Sequence, residues 1–143
     1  MRKGFTLVEI LIVVAIIALL AGLALPGLRQ IRLQGDIAKA KSDLRTIQTA
    51  LEDYYIHHDL AYPSLLSDLT SATPRIVYVL QTDVFNSGSN YGYSTSSNGD
   101  YYIIYSIGSG GNGSATVDDD GVITEVNPDS CVYVSNAGED ALP

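Results

Sequence analysis

The hydrophobic pattern changes twice along the chain. Apolar character begins at Phe5, and from Ile10 to Leu28 no residue is charged: ILIVVAIIALLAGLALPGL. About twenty apolar residues carry a helix across the hydrocarbon of a bilayer, and Leu, Ile and Ala suit such a helix. The pattern then becomes one-sided. Ile37, Ala40, Leu44, Ile47, Leu51 and Tyr54 recur at spacings of three and four, with Asp36, Lys39, Lys41, Asp43, Arg45, Gln48 and Asp53 off that stripe. This is the signature of an amphipathic helix. No Pro falls between Pro26 and the break at Asp59 to Pro63, so one helix is expected from Phe5 to about His57, roughly 80 Å at 1.5 Å per residue. Pro26, Gly27 and Gly35 are its weak points.

Beyond Pro63 the helical period is lost. Leu65, Leu66 and Leu69 suggest a short helix opened by Ser64, and Ile76 to Leu80 is a β-branched run. Tyr91 to Tyr93 and Tyr101 to Ile107 read as strands between the turn clusters NSGSN (86–90) and STSSNGD (94–100). GSGGNGS (108–114) reads as a flexible loop. TVDDDGVITE (116–125) reads as a hairpin turning at Asp120-Gly121, CVYV (131–134) as a last strand, and Gly138 to Pro143 as a disordered tail. The expected fold is α+β: a long N-terminal helix packed on a small antiparallel β-sheet. Its segments are 1–4, 5–28, an amphipathic half over 29–58 and a small β-rich part over 59–143. Without the stripe that last part would have a thin core.

Charge sharpens the division. The 143 residues carry a formal charge of -8, but residues 1–45 hold seven of the eight Lys/Arg and three acids, whereas 46–143 hold Arg75 and thirteen acids. The acidic part has almost no cations with which to neutralise phosphates, which excludes nucleic acid as its partner. Arg2 and Lys3 before the apolar run place the N-terminus in the cytoplasm and the acidic bulk across the membrane. The single Cys131 excludes an intramolecular disulfide and a Cys-based zinc site. No Ser, Cys or His is set for a nucleophile–base pair, GSGGNG lacks the Lys of a phosphate loop, and the ten Tyr suit strand packing or a subunit interface. The chain does not read as an enzyme.

Two features do not fit an ordinary secretory signal or a plain anchor. Gly4 abuts the apolar block after a very short basic leader, and Glu9 stands inside it. A carboxylate in lipid is costly and implies a partner. Cleavage after Gly4 would create an amine at Phe5, one helical turn from Glu9, as a counter-charge.

Gly4-Phe5-Thr6-Leu7-Val8-Glu9 followed by the apolar run resembles the signal sequence of type IV pilins and type II secretion pseudopilins. The resemblance implies a leader over 1–4 cut between Gly4 and Phe5 by a prepilin peptidase, N-methylation of Phe5, Glu9 as the assembly residue, and Pro26 as a helix-kinking proline. It implies a pilin-like fold and a single-pass inner-membrane protein with its C-terminal domain in the periplasm. The subunit would assemble with itself into a periplasmic or surface filament, with minor pseudopilins or pilins and an inner-membrane platform as partners. Glu52 to Tyr55 with Ala61-Tyr62-Pro63 is similar to the helix end and turn of the same family, and NGDYYIIYSIGSGG (98–111) to the strand and glycine turn of the major pseudopilin, which leads into a calcium loop.

Calcium is accordingly the one candidate cofactor. Asp118 and Asp120 could converge, since alternate residues of a strand share a face, while Gly110 stands where the family carries a further Asp. The competing reading is an acidic hairpin turn kept soluble by its charges, because two carboxylates with carbonyls make a weak site. A pseudopilin is the first expectation. The alternatives are a type IV pilin for adhesion, motility or DNA uptake, and an exported soluble calcium-binding domain.

Overall fold

The structure, a computed structural model, describes residues 4–126 and 131–138. The expected disordered tail lies outside them from residue 139 on. The first element, α1, is a helix over Leu7–His57. Thr6 caps it: its Oγ1 and its carbonyl oxygen accept from the Glu9 N–H at 3.3 and 3.1 Å. It ends where Asp59 and Leu60 adopt left-handed φ values of 53° and 57°, which an α-helix of L-residues cannot continue.

The chain divides into two compact units, Met1–Gly35 and Asp36–Pro143. In the first, every described side chain is exposed, including Phe5 at 75%, Leu7 at 79% and Leu23 at 74%. Each such apolar side chain is worth about 1.5–3 kcal/mol when buried. This helix half is long and apolar enough to cross a membrane.

The second unit has three layers. Its middle layer is an antiparallel sheet of β1 (Gly92–Thr95), β2 (Tyr102–Ser106) and β5 (Val132–Ser135), with β2 central. Successive residues of a strand face opposite ways, and the two cores follow that alternation. Tyr102, Ile104, Val132 and Val134 pack with Ala40, Leu44, Ile47 and Leu51 of α1. Ile103 and Tyr133 pack with Ala115 and Val117, and with Ile123, of a hairpin formed by β3 (Ser114–Val117) and β4 (Ile123–Val126). The helix covers one face of the sheet and the hairpin covers the other. Gly92 pairs with Tyr105 across the sheet, and the Tyr105 ring fills the space a Cβ would need.

The amphipathic stripe is buried as its spacing implies: Ala40, Leu44 and Leu51 are fully covered, Ile47 nearly so, and Ile37 and Tyr54 partly. Other expectations need correction. The single sheet is two. The short helix α2 occupies only Asp68–Ser71 after Ser67, not Ser64, because the Asp68 carboxylate accepts from the Leu65 N–H at 3.1 Å and holds the preceding turn. The β-branched run 76–80 is no strand. The Ile76 and Val77 N–H groups both donate to the Leu69 carbonyl, and Tyr78 and Val79 project into solvent.

Candidate functional site

The leader junction is open. Gly4 and Phe5 precede the helix, both are exposed, and no atom of the fold approaches the position a Gly4 Cβ would take. Glu9 lies in the first helical turn and is exposed. There the positive end of the helix dipole favours a carboxylate before any partner is considered. The helix runs on through Pro26, whose missing N–H leaves the carbonyl four residues earlier without its usual donor.

The acidic hairpin turn holds both candidate calcium ligands, Asp118 and Asp120, in exposed positions. Asp118 Oδ1 accepts from the N–H groups of Asp120 and Val122 at 3.0 and 2.8 Å, so this carboxylate closes its own turn. Asp119 reaches across to the β1–β2 turn and accepts from the Ser97 and Asn98 N–H groups. Among the described residues no three or more His, Cys, Asp or Glu side chains gather where they could hold a metal. The geometry shows a turn that Asp118 closes and that Asp119 ties to the neighbouring hairpin.

Three polar ties of the second unit were not anticipated. Glu52 on α1 accepts from the hydroxyls of Tyr62 and Tyr102, whose rings meet edge to face at 4.5 Å. Asp43, also on α1, accepts from the Tyr91 hydroxyl at 3.0 Å. Asp83, 2% exposed, accepts from Ser106 Oγ, the Ile107 N–H and the Phe85 N–H. A buried hydroxyl needs an acceptor. The legible signal was therefore the pairing of many Tyr with acids flanking a buried stripe.

Burial is the main cause that raises the pKa values of Tyr62, Tyr91, Tyr93 and Tyr102 well above the ordinary 10.0. The neighbouring Glu52 adds to this for Tyr62 and Tyr102, and Asp43 for Tyr91. The sign follows from linkage. The unfolded chain loses these protons near pH 10 while the folded one keeps them, so their contribution to stability is intact below about pH 10 and is lost as pH rises towards the folded values. The urea midpoint is expected to hold between pH 7 and 9 and to fall steeply above about pH 10.

Cys131 is buried, and its thiol is pushed up to about 11, chiefly by burial and then by the charges of Glu125 and Asp83. Thiolates react and thiols do not. Labelling by a maleimide at pH 7 should therefore be slow in the folded chain and fast in urea. His57 Nδ1 lies 2.8 Å from the Asp53 carbonyl oxygen, and His58 stacks on Tyr54 with ring centroids 4.0 Å apart. The two imidazoles thus finish the helix and do not converge.

A capped helix that is apolar on all sides and then one-sided, with a small acidic sheet domain on its second half, is a pilin-like α+β fold. The family model for the prokaryotic N-terminal methylation motif matches residues 1–25. The type IV major pilin protein PilA of Myxococcus xanthus is 30% identical over 95 residues, covering 66% of this chain and 37% of that protein. The type II secretion system core protein G of Pseudomonas aeruginosa is 29% identical over 122 residues, covering 77% of this chain and 85% of that one. The protein of the same name from Escherichia coli is 39% identical over 72 residues, covering 49% and 48%. The match thus spans half or less of two of these relatives and most of the third. No solved structure matches the chain. The chain belongs to the type IV pilin and type II secretion pseudopilin family, whose members are structural subunits and not enzymes.

Proposed function

We propose that this chain is a type II secretion pseudopilin that assembles into a filament through its apolar helix half. The observation that carries the reading is that the helix half before Gly35 is exposed on every described side, while the next half is buried on one. The pseudopilin choice is favoured over a type IV pilin because the alignment with the Pseudomonas protein G runs through most of both chains, whereas that with the Myxococcus pilin spans 37% of the pilin. An exported soluble calcium-binding domain is disfavoured by the closed turn at Asp118.

In this mechanism Arg2 and Lys3 keep the leader in the cytoplasm and the acidic domain lies in the periplasm. A prepilin peptidase cuts after Gly4 and methylates the new amine of Phe5. The helix over 5–28 rests in the inner membrane until an assembly platform extracts it, and its transfer from lipid is offset by packing against the helices of other copies. Minor pseudopilins join the same filament. Glu9 stays tolerable in that apolar core because the amine of a neighbouring Phe5 faces it, and Pro26 marks where the helix bends on leaving the bilayer. Mass spectrometry of the protein from cells that hold the peptidase should find a chain beginning at N-methylated Phe5. A chain beginning near residue 24 would instead establish an ordinary secretory signal.

A further inference from the structure

Outside the apolar helix half, two small patches combine exposed apolar side chains with opposite charge. The first is the loop from Arg75 to Val79. Tyr78 is 85% exposed and Val79 78%, and the Arg75 guanidinium carbon lies 5.7 Å from the centre of the Tyr78 ring. Arg75 is the one Lys or Arg in residues 46–143. The second patch is the β3–β4 turn, where Asp118 to Asp120 are exposed and Val122 follows at 57% exposure. Asp118 closes the turn and Asp119 binds the β1–β2 turn, and none of the bonds that hold the turn uses the Asp120 carboxylate.

The layers place these patches on opposite sides of the central sheet. Ile76, Val77 and Leu80 pack into the helix-side core, and the hairpin that carries the acidic turn builds the other core. We infer that the two patches are the two halves of one head-to-tail contact between copies of this chain, with Arg75 facing Asp120 and Val122 lying against Tyr78 and Val79. A contact between two different patches on opposite sides of a subunit does not close on itself as a dimer does. Repeated, it generates an open helical array. It also answers a problem of charge. Acidic domains of this kind repel one another, and one cation set against a neighbour's unspent carboxylate gives local complementarity and fixes register. The inference rests on the filament reading and adds to it a specific contact between globular parts.

The test uses the full chain in cells that assemble the filament. Val79→Cys and Val122→Cys are placed together in one chain, both at exposed sites that the fold tolerates, with buried Cys131 as a silent background. Mild oxidation of sheared filaments should give a ladder of dimers, trimers and longer products on a non-reducing denaturing gel. Either cysteine alone should give no ladder. Arg75→Glu and Asp120→Arg should each lower the ladder about fivefold, as for one surface ion pair, and together restore it. Filaments without a ladder, or dimers from Val79→Cys alone as abundant as those from the pair, overturn the contact. An unmodified chain that makes no filaments at all overturns the filament reading itself.

Discussion

Glu9→Ala is expected to leave the protein folded and in the membrane while abolishing filaments. The helix itself has little need of the carboxylate. Its first turn is capped by Thr6, whose Oγ1 and carbonyl oxygen take the residue-9 N–H whatever side chain stands there, and Ala is the best helix former. Removing a charge from an apolar segment also makes the membrane-bound state cheaper. The loss falls on the assembled state. There the Phe5 amine of a neighbouring copy would be left charged and unpaired among apolar helices, and breaking a buried pair in this way costs about 3–5 kcal/mol. Filament yield should therefore drop at least about a hundredfold. Glu9→Gln should be nearly as damaging, because it keeps the shape and loses the charge. Immunoblots of sheared and cell-associated fractions would decide, and filaments at normal yield from Glu9→Ala would remove Glu9 from the mechanism.

Features with a local period were legible in the sequence. The apolar run and the three-four stripe each write their environment into neighbouring residues, so the α1 helix and its buried face could be read to within two residues at each end. Strands β2 and β5 were legible from Tyr- and Val-rich runs between turn clusters, whereas β1 was legible only at Gly92 and Tyr93, because Ser94 and Thr95 read as turn residues and yet pair with Ile103 and Tyr102. The second sheet was not foreseen as separate, because pairing partners are a tertiary matter. TVDDDGVITE announces a hairpin but not which face of the central sheet it covers. Ile76 to Leu80 has strand composition, yet the N–H groups of Ile76 and Val77 are claimed by the Leu69 carbonyl and no strand forms. The acidic turn shows a similar limit. Asp118 to Asp120 advertise ligands, but side-chain bonds to the local backbone compete for them, and that competition is visible only once the turn is built.

Asp83 is where a nonlocal partner changes a residue's meaning most. In sequence it stands in the stretch QTDVFN, with Ser106 and Ile107 more than twenty positions away. In the fold its carboxylate sits at the end of β2, with Oδ1 accepting from the Phe85 N–H at 2.9 Å and Oδ2 from the Ile107 N–H at 3.0 Å, while Ser106 Oγ reaches both oxygens. The same Ser106 hydroxyl oxygen accepts from the Gly108 N–H at 3.2 Å. One carboxylate thus fastens the loop before β1 to the glycine turn that follows β2. Asp83→Ala removes the acceptor and strands three donors in a place that water barely reaches. At about 1–3 kcal/mol for each unsatisfied buried group, less what the Ser106 hydroxyl recovers by rotating, the cost should be about 3–5 kcal/mol. That approaches the whole stability of a marginal domain. Ser106→Ala should cost less, about 1–2 kcal/mol, because the carboxylate keeps both backbone donors. Urea titration of the detergent-solubilised chain measures both, and with ten Tyr and no Trp the tyrosine fluorescence reports the transition. An Asp83→Ala midpoint matching that of Ser106→Ala would show that the carboxylate is not the anchor, and the turn would then be held by its backbone bonds from Gly111 to Gly108 and from Gly113 to Ile107.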